Sequence, residues 1–317
     1  MEHFNHTEEV PLERVAIFIK TYAPDANLVT RLLSSIKRYN VDRIKVILSV
    51  PDEEISIFLE RLGSFDAMLI ADSFFGVPEV SERLHGQRPG YISQQMIKLS
   101  VHKLNFSQSY VVLDSDAFFI KNFTELDFVS PEGEGYTVMV HDKEQLCAPW
   151  YSEHIEYRSR AIDIIGDYFN LPPPLRATCH GNAILRSDVL SNLETWRIGK
   201  GLTLLDLMRV SALEYSWYSF YMRKYQPESI IQIEPFIRYI HSRGEYRALL
   251  HQGYSITELS RAYVGLCPNT TWAGKSQRAI SRRLKKGSRV AAVMSRYYRV
   301  VDNLIDTIHR VANKLLR

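Results

Sequence analysis

The sequence predicts an α/β fold with a mixed, mainly parallel sheet flanked by helices. Three observations carry this. Short runs rich in β-branched residues alternate with amphipathic segments, each run is closed by Pro, Asp or Gly, and the fourth run ends in two aspartates. Alternation of this kind places helices on both faces of a largely parallel sheet.

The segment Val15 to Lys20 is a short apolar run, and Thr21-Tyr-Ala-Pro-Asp25 breaks it, so it reads as strand then loop. Leu28, Leu32, Ile36 and Tyr39 recur at helical spacing, and Arg43 to Val50 supplies the next strand, ended by Pro51-Asp52. A second helix over Asp52 to Leu62 and a third strand over Ala67 to Ala71 extend the pattern. Gly76 to Gly90 is a punctuated loop, and Ile92, Met96, Leu99 and Leu104 mark one helix face running to Asn105. The fourth strand, Tyr110 to Leu113, delivers Asp114-Ser-Asp116. Tyr136 to Val140 reads as a strand, and Pro172-Pro-Pro174 as a rigid break opening an acceptor-side half. Ser187 to Leu193, Leu202 to Leu213 and Tyr215 to Lys224 read as helices, Ile230 to Tyr239 as a late strand, and no internal repeat is visible.

Composition narrows the classes. Hydrophobic residues make up 45% and charged residues 24% of the 317, close to globular averages. The first residues carry acids and histidines where a secretory signal would be basic then apolar, and no apolar run approaches the roughly 18 residues of a membrane span. A cytoplasmic protein is the expectation, which would leave the sequons at Asn5, Asn122 and Asn269 unused. Cys147, Cys179 and Cys267, odd in number and without C-x-x-C spacing, point to thiols outside any disulfide framework or zinc knuckle.

The net charge of +3 hides an asymmetry: from Lys275 onward there are 12 Lys/Arg against Asp302 and Asp306, leaving 27 basic and 34 acidic residues in the body. Val293, Tyr297, Val301, Leu304, Ile308, Val311 and Leu315 form an amphipathic stripe in this basic tail. Such a helix suits peripheral contact with an anionic inner membrane face, or packing on the body or a partner. Nucleic acid is not expected, since no recognition motif accompanies the charge.

Chemistry concentrates at Val111 to Phe119. Ligands of open α/β sheets bind beyond the carboxyl ends of strands, and strand alternation puts Asp114 and Asp116 on one side. Both can then hold one divalent ion, Mn or Mg, through oxygen ligands, and that ion would neutralise a diphosphate. The plainer alternative is two aspartates that end a strand and cap a turn.

The N-terminal strand with Thr21-Tyr22 and its Leu28 to Tyr39 helix, the Gln94-Gln95-Met-Ile-Lys98-Leu helix and Val112-Leu-Asp-Ser-Asp-Ala117 together resemble GT-A nucleotide-sugar glycosyltransferases. The nearest likeness is to a bacterial group catalogued as a domain of unknown function. The resemblance covers Val15 to Tyr246 and implies a Rossmann-like GT-A domain over residues 1–273, with a basic helical tail over 274–317. It implies a nucleotide-sugar donor, a carbohydrate or lipid-linked glycan acceptor, and a role in surface polysaccharide synthesis.

Carried over by position, the resemblance puts Thr21 and Tyr22 near nucleobase or ribose, Lys98 within reach of a donor phosphate, Asp114 on ribose or metal and Asp116 on the metal. Thr178-Cys-His-Gly-Asn182 is similar to the turn approaching the donor sugar, with His180 and Asn182 toward its hydroxyls and Gly181 permitting close approach. Glu214, with Asp206 behind it, matches the acid that takes a proton from the acceptor hydroxyl. His241 follows the late strand where such enzymes supply a metal ligand, with His141-Asp142 as a weaker competitor, and Arg243 can offset phosphate charge.

Two other classes stay open. A sugar nucleotidyltransferase would carry a Gly-rich phosphate loop after the first strand, and Thr21 to Asp25 contains no Gly. A non-catalytic carbohydrate- or membrane-associated scaffold would keep the fold without turnover.

Overall fold

In the computed structural model, the β-branched run Val15 to Ile19 is at most 1% exposed and lies in β1 (Glu13–Lys20), the middle strand of a five-stranded sheet. Residues 12–63, 65–138, 140–141, 161–171, 177–178, 182–240 and 243–268 are described. The chain divides into two units, Met1–Phe236 and Ile237–Arg317.

In the first unit, a 3-10 turn (Ala23–Asp25) leads from β1 into α1 (Ala26–Tyr39). α1 buries Ala26, Val29, Leu32, Leu33 and Ile36, the three-and-four spacing of one helix face. The fully buried β2 (Val46–Val50), then α2 (Ile55–Leu62) and β3 (Met68–Ala71) continue the winding. α3 (Pro89–Leu99) starts with proline at its first position, where the missing N–H costs nothing, and buries Ile92, Gln95, Met96, Ile97, Lys98 and Leu99. It leads to β4 (Ser107–Leu113), whose Ser109 to Leu113 are buried.

Beyond β4 come β5 (Phe118–Phe119), β6 (Thr137–Val138), β7 (Val140–His141), β8 (Ala177–Thr178), β9 (Ala183–Arg186) and β10 (Gln232–Ile233). The main sheet has the order β3-β2-β1-β4-β9. Its first four strands are parallel, Ile17 lying opposite both Val46 and Val111, while β9 runs antiparallel to β4 with Val111 opposite Ile184. The sheet is therefore mixed and mostly parallel.

The helices of the second half are α4 (161–168), α5 (Ser187–Gly199), α6 (Leu204–Val210) and α7 (Glu214–Tyr225). α7 is buried along Glu214 to Met222, as its nearly chargeless EYSWYSFYM sequence requires. Phe169, just past α4, stacks on Trp196 at 5.0 Å and meets Trp217 edge-on at 5.9 Å, which seats α7 against α5. In the second unit, β11 (Ile237–Ile240) pairs in parallel with β12 (Gly265–Pro268), alongside α8 (Arg243–His251) and α9 (Ile256–Leu259). Arg238 of β11 is tied to Glu245 of α8 at 2.8 Å.

Several boundaries differ from the sequence reading for identifiable reasons. The helix expected to reach Asn105 ends at Leu99, because the Ser100 hydroxyl donates to the Met96 carbonyl and the backbone tightens into a 3-10 turn (Val101–Leu104) closed by left-handed Asn105. The expected strand Ile230 to Tyr239 divides at Pro235, which has no N–H for a ladder: β10 pairs β6, and β11 pairs β12. Helix Leu202 to Leu213 shortens to α6, starting after a Thr203–Asp206 capping box. The Pro172 to Pro174 break and the basic tail lie outside the described residues. No described helix is long and apolar enough to cross a membrane.

Candidate functional site

Strand order reverses between β1 and β4: the crossovers from β1 run outward to β2 and β3, and β4 lies on its other side. That reversal opens a crevice at the carboxyl ends of the two strands, the usual ligand position in such sheets. Thr21 and Tyr22 follow β1 there, and Asp114 and Asp116 follow β4.

Asp114 and Asp116 each present a carboxylate oxygen within 4.8 Å of the other. Three attachments hold this turn. The Asp114 N–H donates to Asn182 Oδ1 at 2.9 Å, the Ser115 hydroxyl donates to Thr21 Oγ1 at 3.1 Å, and Arg31 donates to the Asp116 carbonyl at 2.7 Å. Asn182 sits at the head of β9 with φ of 65°, a left-handed conformation that asparagine tolerates, so the antiparallel neighbour of β4 clamps its end. Asn182 is buried, and among the described residues its Nδ2 has no hydrogen-bond partner.

Beneath this turn lies a buried charge cluster. Lys98, 2% exposed on α3, places its ammonium 2.9 Å from Asp114 Oδ1 and 3.2 Å from Glu214 Oε1, with the Tyr215 ring centroid 5.0 Å away. Glu214 and Tyr215 open α7 and are buried, whereas the Asp114 side chain keeps a quarter of its surface open. Burial alone would lower the Lys98 pKa, but Asp114, Tyr215 and Glu214 outweigh it and hold the ammonium well above its usual range. Burial pushes the Glu214 carboxyl up, only partly offset by Lys98. Burial likewise drives the Tyr215 phenol well up, only partly offset by the charge of Lys98 and a weak hydrogen bond with it, and no other described residue hydrogen-bonds its hydroxyl.

A third carboxylate lies within electrostatic range of Asp114. Asp25, at the head of α1, makes no capping hydrogen bond, and its pKa is raised by burial and then by the charge of Asp114. The paired carboxylate oxygens of Asp114 and Asp116 are hard donors of the kind that fit a hard divalent cation. On the β1–β2–β3 side, buried Lys20 bonds Asp72 at 2.8 Å and the Thr21 carbonyl at 2.7 Å, fixing the backbone under Tyr22. Tyr22 is exposed and lies within electrostatic range of Asp25, Arg88 and Glu54.

The structure thus brings together Thr21, Tyr22, Lys98, Asp114, Asp116, Asn182 and Glu214. Asp206 is differently employed: its carboxylate accepts from the Thr203 N–H and hydroxyl and pairs with Arg209 at 3.1 Å, with its pKa lowered chiefly by Thr203. His180, Gly181 and His241 lie outside the described residues, as does the Arg243 side chain; Asp142 is also outside them. Sequence reasoning missed Asp25 and Tyr215. An acid opening a helix reads as a cap, and a tyrosine among aromatics reads as core.

Fold and site define an α/β protein with an acidic, oxygen-rich centre at the switch point of a mixed sheet. The chain belongs to the family of unknown function DUF6492, whose match covers residues 15–232. No curated protein matches it. Among solved structures it is similar to mouse xyloside xylosyltransferase 1 (TM-score 0.47, 10% identity, 81% of this chain and 98% of that one). It is similar also to the bifunctional glycosyltransferase WbbM (TM-score 0.49, 12% identity, 90% and 52%). A further likeness is to the glycosyltransferase GlyE of Streptococcus pneumoniae TIGR4 (TM-score 0.43, 11% identity, 86% and 60%). The chain spans about half of WbbM and three fifths of GlyE.

Proposed function

We propose that this chain is a metal-dependent glycosyltransferase that moves a sugar from a nucleotide-sugar donor to a glycan or glycolipid acceptor, in the assembly of surface polysaccharide. The observation that carries the reading is the Asp114–Asp116 pair at the β1/β4 switch point, with its carboxylate oxygens within 4.8 Å of each other. Asp114 and Asp116 would hold Mg or Mn, which neutralises charge on a departing diphosphate. Thr21 and Tyr22 border the nucleoside, the exposed Tyr22 ring offering a stacking face. Asn182 would offer its amide to a sugar hydroxyl, and the same part for His180 and Gly181 rests on sequence.

In the transfer, the acceptor oxygen bonds the anomeric carbon as the bond from that carbon to the diphosphate breaks. The hydroxyl proton passes to a carboxylate: the oxygens of Asp206 are committed to Thr203 and Arg209, and Glu214, with its raised pKa, is buried against Lys98 and would serve a hydroxyl that reaches it past Asp114. The roles of His241 as a further metal ligand, of Arg243 beside the donor phosphates and of residues 274–317 as a peripheral membrane contact rest on sequence.

The test is thermal unfolding of the purified protein with UDP-, GDP-, CMP- and dTDP-sugars, with and without Mn, repeated on Asp116→Ala. A ligand that binds only the folded state raises its midpoint. The reading expects a Mn-dependent rise with one nucleotide class, absent in the variant. No rise with any donor, in folded protein, would favour a scaffold.

A further inference from the structure

Lys98 is the least expected member of the site. Its place in the sequence suggests a surface cation within reach of a donor phosphate, yet it is 2% exposed and its ammonium bridges Asp114 Oδ1 and Glu214 Oε1. One buried cation is therefore divided between a carboxylate open to the crevice and a carboxylate sealed beneath it. A divalent ion on Asp114 would come within a few ångströms of the ammonium, and the two cations would draw on the same carboxylate.

We propose that Lys98 is a positioning residue that competes with the divalent ion for Asp114, so that the site holds its metal weakly until a donor diphosphate adds negative charge. When the ion arrives, the ammonium keeps Glu214 as its partner, which is why two carboxylates flank it. Metal and donor then bind together, and free metal alone is held poorly. The inference rests on the reading of Asp114 and Asp116 as metal ligands.

The arithmetic sets the size of the effect. A single positive charge about 5 Å from a divalent ion weakens its binding by roughly tenfold even at the dielectric constant of water, and by more at a buried site. Glu214 acts in the opposite sense. Without it the ammonium belongs wholly to Asp114, and one attractive charge is gone.

The experiment is a Mn titration of the full chain, stripped of metal and without nucleotide, in which free Mn is followed by electron paramagnetic resonance. Wild type is compared with Lys98→Met, Lys98→Arg, Glu214→Gln and the double variant Lys98→Met/Glu214→Gln. Lys98→Met should tighten Mn binding about tenfold or more, Lys98→Arg should leave it close to wild type, and Glu214→Gln should weaken it. If unbalanced buried carboxylates unfold Lys98→Met, the double variant compared with Glu214→Gln alone carries the same test and should also bind Mn more tightly. A purely structural lysine would give weaker or unchanged Mn binding in both comparisons, and that result overturns the proposal. Failure of every protein to bind Mn would overturn it together with the metal reading. Mn binding that shifts as expected in a protein that binds no nucleotide sugar would uphold it and remove the glycosyl-transfer reading alone.

Discussion

Replacing Tyr215 with phenylalanine should leave the ligand-free protein as stable as wild type or more so. A buried tyrosine hydroxyl normally contributes about 0.5–1.5 kcal/mol through its hydrogen bond, whereas a buried polar group left without a partner costs about 1–3 kcal/mol. The Tyr215 hydroxyl is close to the second kind: it is buried, among the described residues it meets no hydrogen-bond partner of good geometry and interacts only weakly with Lys98, and its ring keeps its place over that ammonium with or without the oxygen. The expected gain is between zero and about 1 kcal/mol, or up to about 2 °C in the unfolding midpoint of a protein of this size. Tyr110→Phe is the matched control. The Tyr110 hydroxyl accepts from the N–H groups of Phe106 at 3.2 Å and Ser107 at 3.1 Å, so its loss strands two donors and should lower the midpoint by several degrees. Scanning calorimetry on the three proteins at pH 7 decides the matter. A fall for Tyr215→Phe as large as that for Tyr110→Phe would show that the Tyr215 hydroxyl is satisfied, and would refute the reasoning from its unmatched donor.

Two further outcomes are expected. Asn182→Gly keeps the left-handed backbone but removes the acceptor of the Asp114 N–H, so it should lower the midpoint by about 2–6 °C and weaken Mn binding; Asn182→Ala should cost more, because alanine at φ of 65° adds strain. Burial would raise the Glu194 pKa, but hydrogen bonding to His102 and the charge of Lys103 outweigh it, so the folded value lies below the unfolded one. Its stabilisation is then present above the unfolded pKa and lost as pH falls through the folded pKa, so a Glu194→Gln deficit in midpoint at pH 7 should close in acid.

The parts of the fold with simple periodicity were legible in the sequence. β1, β2 and β4 are apolar runs buried on both faces, α1 keeps its apolar residues on one side, and Asp114 and Asp116 fall where an apolar strand stops. Elements whose ends depend on tertiary partners were not. The Ser100 hydroxyl closes α3 early, and Pro235 divides the late strand between two sheets. Within the site, Lys98 was read as a residue that meets phosphate because sequence carries no sign of burial for one charged residue on a helix. Its burial becomes visible only when α7 brings Glu214 and Tyr215 over α3. Asp25 escaped notice for a related reason: its carboxylate leaves its own helix end uncapped, and the burial and the charge of Asp114 that act on it arise only in the folded chain.

The most direct test of the central claim is chemical. The purified chain, incubated with Mn and each nucleotide sugar in turn, is assayed by chromatography for release of the nucleoside phosphate, first alone and then with a panel of oligosaccharide acceptors. The account predicts slow release from one donor class, stimulated by an acceptor that gains the sugar, and loss of both in Asp116→Ala at unchanged folding. Release that persists undiminished in Asp116→Ala, or its absence with every donor and acceptor, would contradict it.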